Sequence, residues 1–263
     1  NGNQYQAIVS NTSCATGATS AIATLTVNAV PSLTAQPSNA SICAGSDATF
    51  TATATGTNIS YQWQVSTNGG STFNDISGAN GATLNLSNVG SGMNNNQYHV
   101  LISSSCNSLT SANVTLTVSD PASITAQPAD QVLCEGGNAS FSVTAAGTNV
   151  SYQWQVSNGG PFTDISGANA ASYTVTGVTG AMNNNQYHVV VTGTCTPAAV
   201  SSNAVLTVLN PASVATQPSN ATACDGTSAV FTAGGAGGAS DQYQWQVSNG
   251  GPFSNIPGAT GAT

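Results

Sequence analysis

The sequence predicts an all-β protein built as a tandem array of antiparallel β-sandwiches. Three observations predict it. Apolar and polar residues alternate with period two in short runs bounded by Gly and Asn, and no helical period is present. Ser, Thr, Asn and Gly dominate the polar remainder, a mix that suits exposed strand faces and turns and disfavours helices. Whole segments also recur about every 90 residues, the span of one sandwich domain rather than of one solenoid turn.

The repeats set the organisation. The run Tyr61 to Ser66 (YQWQVS) returns at 152–157 and 243–248, placing Trp63, Trp154 and Trp245 each 91 residues apart. NNQYHV returns at 95–100 and 184–189, and LTV closes units at Val27, Val118 and Val208. Residues 1–27 then read as the last two strands of one repeat, 28–118 and 119–208 as complete repeats, and 209–263 as the first half of another. Thr263 matches Thr83 and Asn1 matches Asn94, so the two ends together lack only the counterpart of residues 84–93. The expectation is a stretch of a longer array. The alternative is head-to-tail complementation between neighbouring chains.

Within the first complete repeat the strands follow in order. Phe50, Ala52 and Ala54 alternate with Thr49, Thr51 and Thr53; Tyr61, Trp63 and Val65 alternate with Gln62 and Gln64. Leu84 and Leu86 flank Asn85, Tyr98, Val100 and Ile102 straddle His99, and Val114, Leu116 and Val118 alternate with threonines. One apolar and one polar face per strand describes two sheets packed face to face. Asn68-Gly69-Gly70 and Asn158-Gly159-Gly160 supply the positive φ of a tight hairpin after each tryptophan strand. The joints carry Pro31, Pro121 and Pro211, which fix φ, so the linkers are semi-rigid and the array is expected to be an extended rod.

Charge excludes whole classes of function. The chain has no Lys or Arg, eight acidic residues and a net charge of -8. Nucleic-acid binding and attraction to an anionic membrane surface both need cations, so neither is expected. No apolar run of 18 residues exists, so membrane insertion is not expected either. Six cysteines in so polar a chain suggest an oxidising, extracellular setting. Trypsin finds no cleavage site here, which would help an exposed fibre to survive.

The order of strands, with Trp in the third, Leu-x-Leu later, Tyr98 or Tyr187 next and LTV last, resembles an immunoglobulin domain of the intermediate type. The resemblance implies that Trp63, Trp154, Trp245, Tyr98 and Tyr187 are core residues. It also places the family's core cysteines on Ala52 and Val100, and on Val143 and Val189, so aliphatic packing must replace the core disulfide. The acid that pairs with an arginine in the family falls on Asn94 and Asn183, a sensible change where no arginine exists. The wording SYQWQVSNGG, ISGA and SNAVLTV is similar to the repeats of giant secreted surface proteins of Bacteroidota, including gliding-motility adhesins and stalks.

Candidate sites are few. His99 and His188 neighbour a core-facing Tyr, so they are expected to point outward as surface decoration, with no acid or nucleophile pattern beside them. No cofactor is implied. Calcium needs clustered carboxylates, whereas Asp47, Asp75, Asp120, Asp130, Glu135, Asp164, Asp225 and Asp241 are scattered. Eight Asn-x-Ser/Thr sequons, among them Asn39, Asn58, Asn113 and Asn149, match what composition alone produces. Gln62, Gln64, Gln153 and Gln155 on an exposed face could bind sugar, against the plainer reading of a soluble polar sheet face.

The cysteines are the sharpest candidates. Cys43, Cys134 and Cys224 precede the second strand of their repeats, and Cys14, Cys106 and Cys195 follow the tyrosine strand. In the immunoglobulin topology those two positions lie at opposite ends of one domain. A strand of eight residues separates them by roughly 26 Å, beyond the ~7 Å a disulfide spans. The expected bond is therefore Cys43–Cys195, between domains, with Cys14, Cys106, Cys134 and Cys224 paired to repeats outside this stretch. Bonds within a repeat, such as Cys43–Cys106, and free thiols are the alternatives.

Two functions follow from different classes. In one, the chain is a non-catalytic adhesive or structural segment of an extracellular, cell-surface fibre or stalk. Its partners are then neighbouring repeats and, in a fibre, other copies; any surface or glycan ligand is unspecified. In the other, the repeats are accessory modules of a secreted enzyme.

Overall fold

The computed structural model describes residues 1–236 and 241–263. They form two compact units, Asn1–Asp120 and Pro121–Thr263, each holding one complete immunoglobulin-like sandwich and one partial repeat. In the first sandwich one sheet pairs Ser32–Ala35 with Thr53–Thr55 and Ala48–Thr51 with Thr83–Leu86, all antiparallel. The other sheet runs Asn74–Asp75, Ser60–Ser66, Gln97–Ser103, Val114–Ser119, Ala40–Cys43, with Ser108–Thr110 also paired to Gln97–Ser103. Val114–Ser119 and Ala40–Cys43 are parallel, and the other pairs of that sheet are antiparallel.

The second sandwich repeats the plan. Ser123–Ala126 pairs Thr144–Ala146, and Ala139–Ser142 pairs Ser172–Val175. The other sheet runs Gln131–Cys134, Ala204–Leu209, Gln186–Thr192, Ser151–Ser157, Thr163–Asp164, its first pair again parallel. In both sandwiches the entry strand begins in one sheet and ends in the other. The switch falls at Pro37 and Pro128, which lack the N–H a ladder requires. The residue before each proline secures the crossing: Gln36 Oε1 accepts from the Ala112 N–H at 2.8 Å and Gln127 Oε1 from the Ser202 N–H at 2.9 Å.

Alternation fills the space between the sheets. Trp63, Trp154, Val100 and Val189 are fully buried, and Trp154 lies in cross-strand register with Val189. Phe50 stacks on Tyr98 at 5.0 Å and Phe141 on Tyr187 at 4.6 Å, so an aromatic pair and aliphatics occupy the volume around each tryptophan. Each indole N–H reaches a carbonyl at 3.0 Å, Gly81 for Trp63, Ala170 for Trp154 and Gly261 for Trp245. Asn94 and Asn183 accept the N–H groups of Val118 and Val208 at 2.9 and 3.0 Å. A neutral amide thus caps the last strand without needing a cation.

The joints lie against the domain they enter. Ala29 and Thr57 exchange hydrogen bonds of 2.9 and 3.1 Å. Gly56 (φ 151) and Gly147 (φ 134) make this approach possible: a Cβ there would stand 3.1 Å from Pro31 Cα and 2.9 Å from Ala122 Cα. Among the described residues the strands of the partial repeats form two-stranded ladders. Asn3–Tyr5 pairs Ala23–Leu25, Ile8–Asn11 pairs Cys14–Thr19, Val214–Thr216 pairs Gly234–Gly235, and Gln246–Val247 pairs Ser254–Asn255.

Candidate functional site

Two constellations merit building up: the polar face of the tryptophan–tyrosine sheet, and the cysteines. On the polar face, Gln64 Nε2 donates to Asp75 Oδ1 at 2.7 Å and its Oε1 meets His99 Nε2 at 2.6 Å, while His99 Nδ1 meets Asn113 Oδ1 at 3.0 Å. The second repeat has the same chain: Asp164, Gln155 (2.6 Å), His188 (2.6 Å) and Asn203 (3.2 Å), and Asn203 donates onward to Gln186 Oε1 at 2.8 Å. Phe73 and Phe162 fold back over the imidazoles, with ring centroids 3.9 and 3.8 Å apart.

This corrects the outward-pointing histidines. They do leave the core face, but the hairpin after the tryptophan strand roofs them, and His99 is only 9% exposed. Its ring is a clasp between the tyrosine strand, Gln64 on the tryptophan strand and Asn113 just before the last strand. The glutamines are corrected in the same way: all four are half-buried rather than exposed. Gln62 Nε2 donates to the carbonyls of Trp63 and Ile76, both at 2.9 Å, and Asn80 donates to Gln62 Oε1 at 2.9 Å. Gln153 with Asn169, and Gln244, repeat the arrangement. These amides close the edge of the tryptophan strand where its two-residue neighbour stops, so little of their hydrogen-bonding capacity is left for a sugar.

Three other carboxylates accept backbone N–H groups. Asp47 accepts the Asn88 N–H at 2.8 Å, Asp130 the Val205 N–H at 2.8 Å and Glu135 the Gly180 N–H at 3.0 Å. Among the described residues no three of His, Cys, Asp or Glu come together as a metal site. The sequon asparagines Asn39 and Asn113 are exposed but hydrogen-bonded within the domain, Asn39 accepting the Thr115 N–H at 2.8 Å and Asn113 Oδ1 lying 3.0 Å from His99 Nδ1. Asn58 and Asn149 sit exposed at positive φ of 53 and 54. Burial raises the Tyr98 and Tyr187 hydroxyls above the usual phenol range, with Asn96 and Asn185 partly offsetting it. Tyr98 Oη makes no well-formed hydrogen bond.

The cysteines divide by state. Cys43, the last residue of Ala40–Cys43, and Cys195, 2% exposed beyond Gln186–Thr192, are each disulfide-bonded. Cys106, Cys134 and Cys224 are exposed free thiols, so the within-repeat bond Cys43–Cys106 is not made. The side chain of Cys14 lies outside the described residues. Cys106 stands beside the joint, its Sγ 3.9 Å from Asn28 O.

Sequence reading missed the roof over the histidines. The signal was available: Phe73, Phe162 and Phe253 follow their tryptophans by 8 to 10 residues in three repeats, each three residues before Ile76, Ile165 or Ile256.

Comparison with known proteins fixes the family. Residues 34–120 and 123–211 match the model of DUF8696, a domain of unknown function, and the chain belongs to that family. Endoglucanase C of Cellulomonas fimi is 35% identical over 137 residues, which cover 51% of this chain and 12% of the endoglucanase. A three-domain immunoglobulin structure of titin superposes with a TM-score of 0.58 at 15% identity, covering 87% of this chain and 81% of that one. Sidekick-1 immunoglobulin domains 1–4 give 0.51 at 17% identity, covering 80% and 59%. At such identities the structures speak for the fold alone.

Proposed function

We propose that this chain of tandem DUF8696 domains is a non-catalytic, load-bearing segment of an extracellular stalk or adhesive fibre, whose partners are the neighbouring repeats. The observation that carries this reading is the state of the cysteines. Cys43 and Cys195 are both disulfide-bonded, while Cys106, Cys134 and Cys224 are not. One bond takes two sulfurs, so this count favours Cys43–Cys195, a link from one repeat to the next. Cys106, Cys134 and Cys224, free thiols here, are proposed to pair with the equivalent cysteines of other repeats. The topology adds support. Each complete sandwich is entered through a strand that pairs in parallel with the one by which the chain leaves, so tension loads that ladder in shear, all its bonds at once.

Non-reducing peptide mapping tests the linkage: a Cys43–Cys195 peptide is expected, and a Cys43 peptide bound elsewhere refutes it. Antibody labelling of intact cells tests the location.

A second reading makes these domains accessory modules of a secreted enzyme. The endoglucanase match favours it. The reading frame on either side separates the two: a long run of further repeats fits the stalk, and a hydrolase domain fits the accessory role.

A further inference from the structure

We infer that Asn158 and Asn249 are sites of spontaneous modification, where the chain ages by deamidation, and that the matching Asn68 of the first repeat is protected. The sequence holds five Asn-Gly pairs, at Asn1, Asn68, Asn80, Asn158 and Asn249. Glycine favours the reaction because it has no Cβ to keep the asparagine side chain from folding back onto the next peptide nitrogen. The step balances with water alone. The Gly159 nitrogen, having given its proton to hydroxide, bonds to Asn158 Cγ. The Cγ–Nδ2 bond breaks, and that nitrogen leaves as ammonia. Water then opens the succinimide ring at either carbonyl, leaving an aspartate or an isoaspartate.

Folding sorts the five pairs, because the side-chain amide must swing free to react. Asn1 Oδ1 accepts the Val27 N–H at 3.1 Å, and the Gly2 N–H is engaged by Leu25 O at 2.8 Å. Asn80 Nδ2 donates to Gln62 Oε1 at 2.9 Å. Asn68 is pinned at both ends of its amide. Its Oδ1 accepts from Ser66 Oγ at 2.8 Å and from the Thr72 N–H at 3.0 Å, and its Nδ2 donates to Thr72 Oγ1 at 2.8 Å. Asn158 and Asn249 are exposed, and among the described residues their side chains make no hydrogen bond. The nitrogens they must reach, on Gly159 and Gly250, each hold one long bond of 3.2 Å to Ser157 or Ser248 Oγ. Space does not separate the three hairpins, since a Cβ at Gly69, Gly159 or Gly250 would meet nothing within 4 Å.

Loop length explains the difference. Six residues lie between Ser66 and Phe73, and Thr72 stands before the phenylalanine. Four lie between Ser157 and Phe162 and between Ser248 and Phe253, with Pro161 and Pro252 in that place. The threonine supplies the N–H and the hydroxyl that hold Asn68, and proline has neither. The consequence falls on the roof. Phe162 follows this loop and covers His188 at 3.8 Å. Isoaspartate routes the main chain through Cγ, which adds a carbon to a four-residue loop, and either product adds a negative charge. Ageing therefore loosens the cover over His188 and spares the one over His99.

The test incubates the folded full chain in mildly alkaline buffer. Each pair is followed by mass spectrometry after subtilisin digestion, and isoaspartate is counted by enzymatic methylation. A hydrogen bond that must break first slows the reaction by on the order of tenfold. Asn158 and Asn249 should outrun Asn1, Asn68 and Asn80 by at least that factor. In denaturant the four internal pairs should converge. Thr72→Ala removes the hydroxyl and should speed Asn68 by on the order of tenfold while Asn158 is unchanged. In the aged chain the His188 ring protons should lose the ring-current shift from Phe162, and those of His99 should keep theirs from Phe73. Equal rates for Asn68 and Asn158 in the folded chain, or an Asn158 that outlasts Asn68, would overturn the assignment. An unmoved His188 signal in the aged chain would overturn the consequence for the roof.

Discussion

The complete repeat at 119–208 and the half repeat at 209–263 carry the same residues in different company. Phe141 is fully buried and its counterpart Phe231 is 45% exposed; Phe162 is half-buried under its histidine and Phe253 is 71% exposed. Trp154 is sealed, whereas Trp245 is only half-buried. Yet the indole hydrogen bond is 3.0 Å in both, and the glutamine bridge to the following isoleucine carbonyl is 2.9 Å in both. The tryptophan strand and its hairpin therefore form from local contacts. The core forms only when the tyrosine and last strands close over them.

Removing the tryptophan should break the comparison most sharply. Trp154→Ala should cost about 3–5 kcal/mol, the usual penalty for truncating a buried large aromatic. Trp245→Ala, in a half repeat without a closed core, should leave the denaturation midpoint of the complete repeats almost unchanged. Guanidinium titration of both variants checks this, and equal losses would mean the half repeat has a core of its own. Next in size is Gly147→Ala. The added Cβ meets backbone 2.9 Å away, at a φ that L residues avoid, so a loss of about 1–3 kcal/mol is expected. Gly159→Ala meets nothing within 4 Å but also sits at positive φ, so it isolates the backbone share.

Asn183→Ala should follow, at about 1–3 kcal/mol, because it strands the Val208 N–H. Asn183→Asp restores an acceptor and should recover part of the loss.

The smallest effect is alkaline. Burial raises Tyr98 and Tyr187 above the ordinary value of 10.0, so the folded state holds these protons longer than the unfolded one. Their contribution is complete below the unfolded value and is lost as pH rises through the folded one. Tyr187→Phe should flatten the alkaline fall in stability of the second repeat, read as the slope of midpoint against pH.

Much of the fold was legible because period-two alternation and the tryptophan repeat are written locally. Ala52 and Val100 could be assigned to the core from register, since a one-residue slip would turn every side chain outward, and Val143 and Val189 through the immunoglobulin resemblance. The polar face was not legible. Alternation says that His99 and Gln64 leave the core, but not that Phe73, from a hairpin two turns away, folds back to cover them. Asn94 and Asn183 were half legible: the lack of an arginine explained why they are not acids, while their role as caps of the last strand needed coordinates.

A scaffold of carboxamide bridges is largely indifferent to salinity. Asp75 and Asp164 are held by glutamine amides, the last strands by Asn94 and Asn183, and the edge of the tryptophan strand by Gln62 and Gln153. With no lysine or arginine, Debye screening has no side-chain ion pair of those residues to weaken. What salt does change is the mutual repulsion of eight acidic groups, and screening that favours the folded chain. The unfolding midpoint should therefore hold or rise from fresh water to brine.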